Sequence, residues 1–323
     1  MSETRSADHS EAVAIGIDIG ATAIKAALVG LNGSLLASFR EDSPRTIAAL
    51  QEFVRSVRKQ AKVPLVGIGI GCKGVIDAST TRVNRLPGDL NFLEGCNLNE
   101  LAAVDGLPVC ADNDARTALV AEVLWGSARG RRNALLLTLG TGVGGAALSD
   151  GVILRGASGA ACHLGHITLD LRGGLCICGN YGCLETSFSS RAIESDYFAH
   201  LHRASSARLS LDDNGRVPTT EAIFQAAAEG DPSARRVLDL AFESLTAALV
   251  SFVNIFDPEI IILGGNIAAA GPQLLAPLQE EVARRTNVLL TRTVPIVLQN
   301  NVGYGGVAGA AGLVFLQQRL LAI

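Results

Sequence analysis

The sequence predicts an α/β protein made of two related lobes. Its 323 residues are enough for about two domains. Segments in which apolar and polar residues alternate are interleaved with segments whose apolar residues recur at helical spacing. A strand, a glycine turn and a second strand open the chain near residue 13 and recur near residue 134. Together these observations favour two α/β lobes, each with one glycine hairpin.

Composition and charge argue against several classes of function. Charged residues make up 18% of the chain and the net charge is −4, so we expect no nucleic-acid partner. We find no secretory signal and no apolar run of membrane-spanning length, so we expect a cytoplasmic protein with no membrane partner. Seven cysteines without such a signal predict reduced thiols. Residues 1–12 are mostly polar and predict a disordered N-terminal tail.

Strand and helix signals alternate through the first half of the chain. Asn32-Gly33 lies between two apolar strands and is a strong signal for a β-hairpin. Alternating, β-branched runs predict strands, and longer runs with apolar residues three or four apart predict helices. The resulting elements are strands within residues 12–38, 64–71 and 107–115 and helices within residues 43–62, 98–106 and 116–130.

The second half of the chain begins by repeating this pattern. Residues 134–156 align without a gap onto the first hairpin at an offset of 120 residues, which places Asp18 opposite Thr138 and Gly20 opposite Gly140. A chance match of two alanine- and glycine-rich strands is the alternative. Further elements are predicted as helices within 219–257, strands within 258–271 and 295–301, and a last helix within 303–323. The last helix is expected to fold back on the first lobe.

Both glycine turns have the composition of an anion-binding site. The first has the spacing D-x-G-x-T-x-x-K, with Asp18, Gly20, Thr22 and Lys25 as its candidate residues. Glycine turns let backbone N–H groups approach phosphate oxygens, and a carboxylate beside the phosphate can hold Mg²⁺. The other candidates for nucleotide contacts are Gly140, Thr141, Gly142, Gly264 and Gly265. Taken singly, each turn is also consistent with an ordinary glycine-rich turn.

The segment Ala-Asp-Asn-Asp-Ala at 111–115 supplies a candidate catalytic base. It follows a predicted strand and precedes a predicted helix, so its polar side chains lie where ligands bind in α/β proteins. We expect Asn113 to hold a substrate hydroxyl and Asp114 to accept a proton from another. Capping of the following helix is the alternative role for these residues.

A cluster of cysteines predicts a zinc site. Cys176, Cys178 and Cys183 occur within eight residues, and glycines in between allow the loop to double back. His166 is the nearest sensible fourth ligand, and a Cys₃His set with four protein ligands is typical of structural zinc. A buried cysteine-rich loop without metal is the alternative. The remaining cysteines are expected in the core or in the walls of the site.

The motifs occur in the order of a known family. The order is D-x-G-x-T-x-x-K, N-D-A, L-G-T-G-V-G-G, G-H, C-x-C-G-x-x-G-C-x-E and I-L-G-G. From about Val13 onward the chain resembles the ROK family of repressors and sugar kinases. The resemblance implies an actin-like (ribonuclease H-like) two-lobed sugar kinase fold with the active site in the interdomain cleft. The implied lobes are a small one, 13–117 plus 306–323, and a large one, 118–305, with a zinc-binding loop at 166–183.

The resemblance also implies roles for the candidate residues. The two glycine turns hold the phosphates of ATP with Mg²⁺, and the zinc ion is structural. Asn113 binds a sugar hydroxyl, and Asp114 is the catalytic base and also contacts the sugar. His166 ligates zinc and contacts the sugar, and Glu185 and Gly74 contact the sugar as well. A homodimer is the expected assembly.

The sequence departs from the family pattern in three places. His163 stands where the E-x-G-H motif has its glutamate, and a neutral histidine can accept one hydrogen bond and donate another. We therefore expect His163 to take over that sugar contact. The pair Cys72-Lys73 stands where the family often has proline and glycine. Asp89 or Asn91 stands near a family proline-asparagine-leucine contact, and either side chain can serve as the sugar ligand.

These features predict an ATP-dependent kinase that phosphorylates the 6-hydroxyl of a hexose, with glucose as the first expectation. The alternatives are other hexoses and amino sugars: N-acetylmannosamine, N-acetylglucosamine, glucosamine, allose and fructose. A sugar-binding ROK protein without catalysis is a further alternative because His163 replaces the glutamate. A ROK repressor is disfavoured, since only about a dozen residues precede the first strand and Asp18 and Lys25 are both present.

Overall fold

The chain forms two compact units. The computed structural model describes residues 12–103, 105–201, 217–286, 290–300 and 303–323. Residues 1–11 of the predicted tail lie outside these ranges. Unit 1 contains residues 12–130, 155–161 and 304–323, and unit 2 contains residues 131–154 and 162–303.

Each unit is built around one five-stranded mixed sheet. The strands are β1 Val13–Ile19, β2 Ala23–Gly30, β3 Leu35–Asp42, β4 Leu65–Cys72, β5 Val75–Asp77, β6 Arg82–Arg85, β7 Val109–Asn113, β8 Ala134–Leu139, β9 Val143–Ser149, β10 Val152–Ile153, β11 Ile260–Gly264 and β12 Ile296–Leu298. The strand order is β3-β2-β1-β4-β7 in unit 1 and β10-β9-β8-β11-β12 in unit 2, and β5 pairs with β6. β1, β4 and β7 run parallel, as do β8, β11 and β12.

Eight α-helices occur in the described part of the chain. They are α1 Ile47–Gln60, α2 Leu98–Ala102, α3 Asp114–Trp125, α4 Ser190–Leu201, α5 Thr220–Ala228, α6 Pro232–Phe256, α7 Pro272–Thr286 and α8 Gly305–Gln317. Helix α2 is shorter than predicted because the backbone is already extended at Ala103, and Asp105 and Gly106 then adopt left-handed angles that a right-handed helix excludes. Helix α3 lies wholly in unit 1, and the lobe boundary predicted at residue 117 falls inside it.

The two sheets share one topology, as the internal repeat predicts. β1, β2, β4 and β7 occupy the same places in unit 1 as β8, β9, β11 and β12 in unit 2. The alignment at an offset of 120 residues matches β1 to β8, the first strand of each hairpin. It is shifted by one residue in the second strands, because Ala26 pairs with Ile17 whereas Ala146 pairs with Leu136. The turn in unit 2 is one residue shorter.

Helix α8 completes unit 1, as the sequence predicts. Its residues pack against β1, β4 and α3 through positions that only glycine can occupy. A Cβ added at Gly16 of β1 would overlap the Val307 carbonyl group, and one at Gly309 of α8 would overlap the Thr117 carbonyl oxygen. Backbone-to-backbone packing of this kind leaves no flexible side chain that can move aside.

We expect Gly309→Ala to lower the free energy of unfolding by about 3 kcal/mol, because the added methyl group forces α8 and α3 apart. Gly312→Ala is the matched control in the same helix. A Cβ at Gly312 meets the Leu124 side chain at 2.8 Å, and that side chain can rotate. Chemical denaturation measures both variants, and equal losses of stability would contradict the packing argument.

Helix α6 is long and apolar enough to cross a membrane by length and composition alone. That test is weak evidence for a single helix, since core helices also pass it. The side chains of Leu245, Leu249 and Val253 are buried in the core of unit 2. The burial of this face is typical of a core helix.

Candidate functional site

Several candidate residues of unit 1 lie at the carboxyl ends of its three parallel strands. In the register of β1, β4 and β7, Asp18 is opposite Gly71, which is opposite Asp112. One residue further on, Cys72 is opposite Asn113. Ligands of α/β proteins bind beyond this edge of the sheet. The fold therefore brings the first predicted acid, Asp18, to the same edge as Asn113.

The Asp18 carboxyl lies in an environment that disfavours its charge. Burial, assisted by the negative charge of Asp114, raises the pKa of Asp18 to about 7, and the charge of Lys25 opposes this rise. Lys25 is the cross-strand partner of Asp18 in the β1–β2 hairpin. Asp18 also faces the first turn of α8, where a Cβ at Gly306 would lie 3.2 Å from Oδ2. Two carboxyls that repel each other in this way can share a divalent cation.

Asn113 caps α3, which confirms the structural alternative raised by the sequence. Its Oδ1 accepts hydrogen bonds from the backbone N–H groups of Ala115 (3.0 Å) and Arg116 (3.4 Å). Its Nδ2 donates to the Gly74 carbonyl oxygen at 3.1 Å. Capping does not use the whole amide, because Nδ2 carries a second hydrogen. A sugar hydroxyl bound by Asn113 would accept that hydrogen.

Asp114 is the first residue of α3, and its side chain is partly exposed. Its Oδ1 accepts a hydrogen bond from the N–H of Ala115 at 3.0 Å, which fixes the carboxylate. The unpaired N–H groups of a helix's first turn favour negative charge there. An oriented and accessible carboxylate at a strand end has the geometry of a general base.

The remaining predicted sugar contacts of unit 1 differ in their surroundings. Gly74 lies beside Asn113 and has φ of 95°, and a Cβ there would overlap the Arg85 carbonyl oxygen. Asp89 and Asn91 are both exposed, Asp89 just before a short 3-10 helix and Asn91 at its first position. Their contact with a sugar stays a prediction.

In each glycine turn the first glycine donates a hydrogen bond within the turn. Gly20 donates its N–H to Ala23 O at 3.1 Å, and Gly140 donates to Gly142 O at 3.0 Å. These two N–H groups are therefore used inside the turns. Thr22 and Thr141 are exposed at the turn tips. Their hydroxyls and the backbone N–H groups at the tips are the donors available to a phosphate.

Asp112 takes part in a buried ion cluster that the sequence analysis missed. The carboxylate is fully buried and accepts hydrogen bonds from Arg116 Nε at 2.5 Å and Arg155 Nε at 2.8 Å. The spacing of Asp112 and Arg116, four residues apart at a helix start, is a signal for their pairing. Nothing local in the sequence indicates the contact with Arg155, which is 43 residues away.

The second glycine turn is fixed by Glu185. Its Oε2 accepts the N–H of Val143 at 2.9 Å and lies where a Cβ at Gly142 would be. Gly265, whose φ is 84°, lies against the backbone of Leu139 on the other side. The structure thus brings together three glycines predicted to contact nucleotide, Gly140, Gly142 and Gly265, and places Glu185 beside them.

The predicted zinc ligands converge on one point of unit 2. The ligand atoms of His166, Cys176, Cys178 and Cys183 all lie within 4.8 Å of one another. His166 Nδ1 is 3.5 Å from Cys176 Sγ, and the sulfurs of Cys178 and Cys183 are 3.6 Å apart. A tetrahedral zinc ion with ordinary bond lengths places such pairs about 3.5 and 3.8 Å apart. The residues therefore fit a closed zinc site.

Burial also affects the protonation of the thiol cluster. It raises the pKa of Cys176 and of Cys183 above the usual value of a thiol. Zinc binding there would have to displace the protons of both thiols. Left-handed glycines shape the loop, since a Cβ at Gly182 would overlap the Asp170 carbonyl oxygen.

His163 lies next to His166, the predicted zinc ligand. The two rings are stacked, with centroids 6.1 Å apart and an interplanar angle of 26°. The short 3-10 helix Leu164–His166 packs on the second glycine hairpin, where a Cβ at Gly145 would lie 2.5 Å from Leu164 Cγ. His163, the predicted zinc ligands and the glycine turn therefore form one packed group in unit 2.

A groove of about 450 Å³ between α5, α6 and α7 contains none of the predicted site residues. Its floor is apolar, with Phe224, Leu238 and Phe242, and charged side chains such as Arg235 and Glu243 line it. The predicted catalytic, substrate-binding and metal-binding residues lie outside this groove.

Comparisons with known proteins agree with the repeated sheets and the motif order. The ROK family model matches residues 14–317. A glucokinase from Thermotoga maritima is 32% identical over 312 residues, covering 93% of this chain and 96% of that protein. A ROK family glucokinase from Streptomyces griseus, in complex with glucose and AMPPNP, has a TM-score of 0.80 at 28% identity, covering 93% of this chain and 98% of that one. A xylose repressor from Caldicellulosiruptor bescii is 30% identical over 84% of this chain and 70% of its own length.

The fold and its glycine turns define an actin-like α/β protein of the sugar kinase class. The chain belongs to the ROK family, as its motifs predict. Both kinases and repressors are similar to it.

Proposed function

We propose that this protein is an ATP-dependent kinase that phosphorylates the 6-hydroxyl of a hexose, with glucose as the first candidate. The observation that carries the proposal is a charge difference between two equivalent rows of residues. In unit 1 the row contains Asp18 and Asp112 on either side of Gly71. The equivalent row in unit 2 contains the neutral residues Thr138 and Gln299 beside Gly264.

This charge difference is consistent with different roles for the two units. In unit 2 this row of residues carries no charge, and the backbone N–H groups at the tip of the glycine turn can donate to anionic phosphates. The acidic edge of unit 1 supplies a metal ligand and a base, which phosphoryl transfer to a hydroxyl requires. The similarity to glucokinases, one of them in complex with glucose and AMPPNP, supports the same assignment.

In the proposed reaction Asp114 accepts the proton of the 6-hydroxyl as that oxygen attacks the γ-phosphorus of ATP, and the bond from the γ-phosphorus to the bridging oxygen breaks to release ADP. Asn113 donates its second Nδ2 hydrogen to another hydroxyl and so orients the sugar. Gly74 lies close enough to Asn113 to form a wall beside it. Asp18 is the proposed ligand of Mg²⁺, whose role when bound is to neutralise the phosphate charge.

In unit 2 the proposed phosphate contacts are Thr141 and the glycine turn around it. The zinc ion supplies no chemistry and stabilises the loop that ends in Glu185. His166 and Glu185 are proposed to contact the sugar, and His163 takes the place of the glutamate found in the family motif. We further propose a cytoplasmic homodimer.

A non-catalytic sugar-binding protein is the second candidate, because a repressor is among the similar proteins and His163 departs from the family motif. The two candidates differ in whether binding leads to turnover. ADP production should be measured with Mg·ATP over glucose, mannose, fructose, allose, glucosamine and the two N-acetylhexosamines. We expect the highest kcat/KM with glucose. A higher value for another sugar would change the substrate, and no sugar-dependent ADP at all would contradict the kinase.

The raised pKa of Asp18 predicts a pH dependence of both activity and stability. Only the ionised carboxylate binds Mg²⁺, so turnover should fall when low pH protonates Asp18, and competition from Mg²⁺ should move that fall to below pH 7. The stability of the metal-free protein should depend on pH in the opposite direction. Because the folded pKa lies above the ordinary value of 3.8, the free energy of unfolding should fall as pH rises from about 4 to 7.

Denaturant titrations between pH 4 and 8 measure this stability change. In Asp114→Asn the repelling charge is absent, so the fall should end at a lower pH than in the wild type. In Asp18→Asn this fall in the free energy of unfolding should disappear. An unaltered pH dependence in Asp18→Asn would show that another group is responsible.

A further inference from the structure

A buried ion cluster directly precedes the candidate base in the chain. The Asp112 carboxylate bonds to Arg116 and Arg155, and its Oδ1 also accepts the backbone N–H of Asn113 at 2.8 Å. We call these three side chains, Asp112, Arg116 and Arg155, the Asp112 cluster. Two guanidinium groups on one carboxylate leave an excess positive charge. Removal of Asp112 would leave the buried Arg116 guanidinium without its partner, whereas removal of the half-exposed Arg155 would leave the Asp112–Arg116 pair in place.

Arg155 connects this cluster to a distant segment of the chain. It begins segment 155–161, which belongs to unit 1 although the residues on both sides of it belong to unit 2. Immediately after the segment come His163 and the zinc ligand His166. The ion pair between Arg155 and Asp112 therefore links this segment to the β7–α3 junction that carries the candidate base.

Two further contacts hold segment 155–161 in unit 1. Arg116 Nη1 donates to the carbonyl oxygen of Ala161 at 3.5 Å, at the end of the segment. Gly159 packs against the Ile76 carbonyl group so closely that a Cβ would overlap it. Both arginines of the cluster thus contact Asp112, and Arg116 contacts the segment as well.

We propose that Arg155 and Asp112 are positioning residues for the kinase reaction, an inference that rests on the proposed function for its catalytic effect. Their ion pair holds segment 155–161 against the β7–α3 junction, and so fixes the orientation in which Asn113 and Asp114 meet the substrate. Neither side chain takes part in proton transfer. A base displaced by a fraction of an ångström loses rate without losing its own chemistry.

Arg155 is the better residue for a test than Arg116. Arg116 is 1% exposed, so its removal leaves a buried gap and endangers folding. Arg155 is 39% exposed, and its replacement should leave the fold intact. Arg132→Met is the matched control, because Arg132 pairs with Asp150 at 2.5 Å in an ion pair that is exposed on both sides.

In steady-state kinetics, Arg155→Met should lower kcat roughly 10- to 100-fold while the KM for ATP stays within about twofold. Arg155→Lys retains the positive charge and should recover much of the loss. The double variant Asp112→Asn/Arg155→Met should be about as slow as the slower single variant, because both remove one interaction. A kcat for Arg155→Met within about twofold of the wild type would overturn the proposal, as would full additivity.

Hydrogen exchange tests the positioning directly and does not require activity. In Arg155→Met, amide exchange in residues 109–117 should be severalfold faster than in the wild type and in Arg132→Met. Unchanged exchange there would overturn the proposal. If the wild type phosphorylates no sugar, the proposed function fails on its own evidence, and the exchange data still decide whether Arg155 fixes the junction.

Discussion

Replacement of Asp114 by asparagine should lower kcat for hexose phosphorylation by about 10³-fold or more. An amide oxygen cannot take up the proton of the attacking hydroxyl, so the oxygen nucleophile must form without a base. The substitution preserves the shape of the side chain, and its Oδ1 can still accept the N–H of Ala115. Glucose binding, measured by titration calorimetry, should therefore change by less than about threefold.

Asp150→Asn is the control for Asp114→Asn, since it makes the same chemical change at an exposed surface ion pair. Its kcat should equal that of the wild type. If Asp114→Asn kept a tenth or more of the wild-type turnover, Asp114 would not be the base. If it lost glucose binding as well, Asp114 would be a binding residue first.

Loss of zinc should be the second large effect. Purified protein should contain about one zinc ion per chain, and Cys178→Ser should contain almost none. Cys178 is exposed, so this change removes a ligand without disturbing the packing of a buried side chain. Without zinc the loop that carries His166 and Glu185 loses its anchor, and glucose affinity should fall at least tenfold with a loss of several kcal/mol in stability.

Cys96→Ser is the control for the zinc experiment, because Cys96 is a free thiol remote in sequence from the cluster. It should keep the metal, the stability and the affinity for glucose. Zinc absent from wild-type protein prepared without chelators would contradict the Cys₃His assignment. Zinc present with no effect of its removal on glucose affinity would make the site purely structural, remote from the sugar.

Much of the fold could be predicted because its signals are local. The two glycine hairpins are each encoded within about twenty residues, and their repetition indicates two sheets of the same topology. The predicted zinc ligands also lie close together in the chain, so spacing alone brings Cys176, Cys178 and Cys183 together. The capping role of Asn113 follows from its place at a strand-to-helix junction.

The contacts that sequence patterns did not predict join residues far apart in the chain. Arg155 binds Asp112 across 43 residues, and Glu185 binds the N–H of Val143 across 42. Periodicity and spacing describe neighbours along one element, so they carry no information on such pairs. The one-residue difference between the hairpins is likewise invisible in a gap-free alignment, because the strands resemble each other in either register.

The central claim is that the chain transfers phosphate to a sugar and does more than bind it. Phosphorus-31 NMR of the protein with Mg·ATP and glucose tests this most directly. We predict that a sugar 6-phosphate resonance grows in step with ADP in the wild type and is absent with Asp114→Asn. Glucose binding by calorimetry together with unconsumed ATP and no sugar phosphate would contradict the claim.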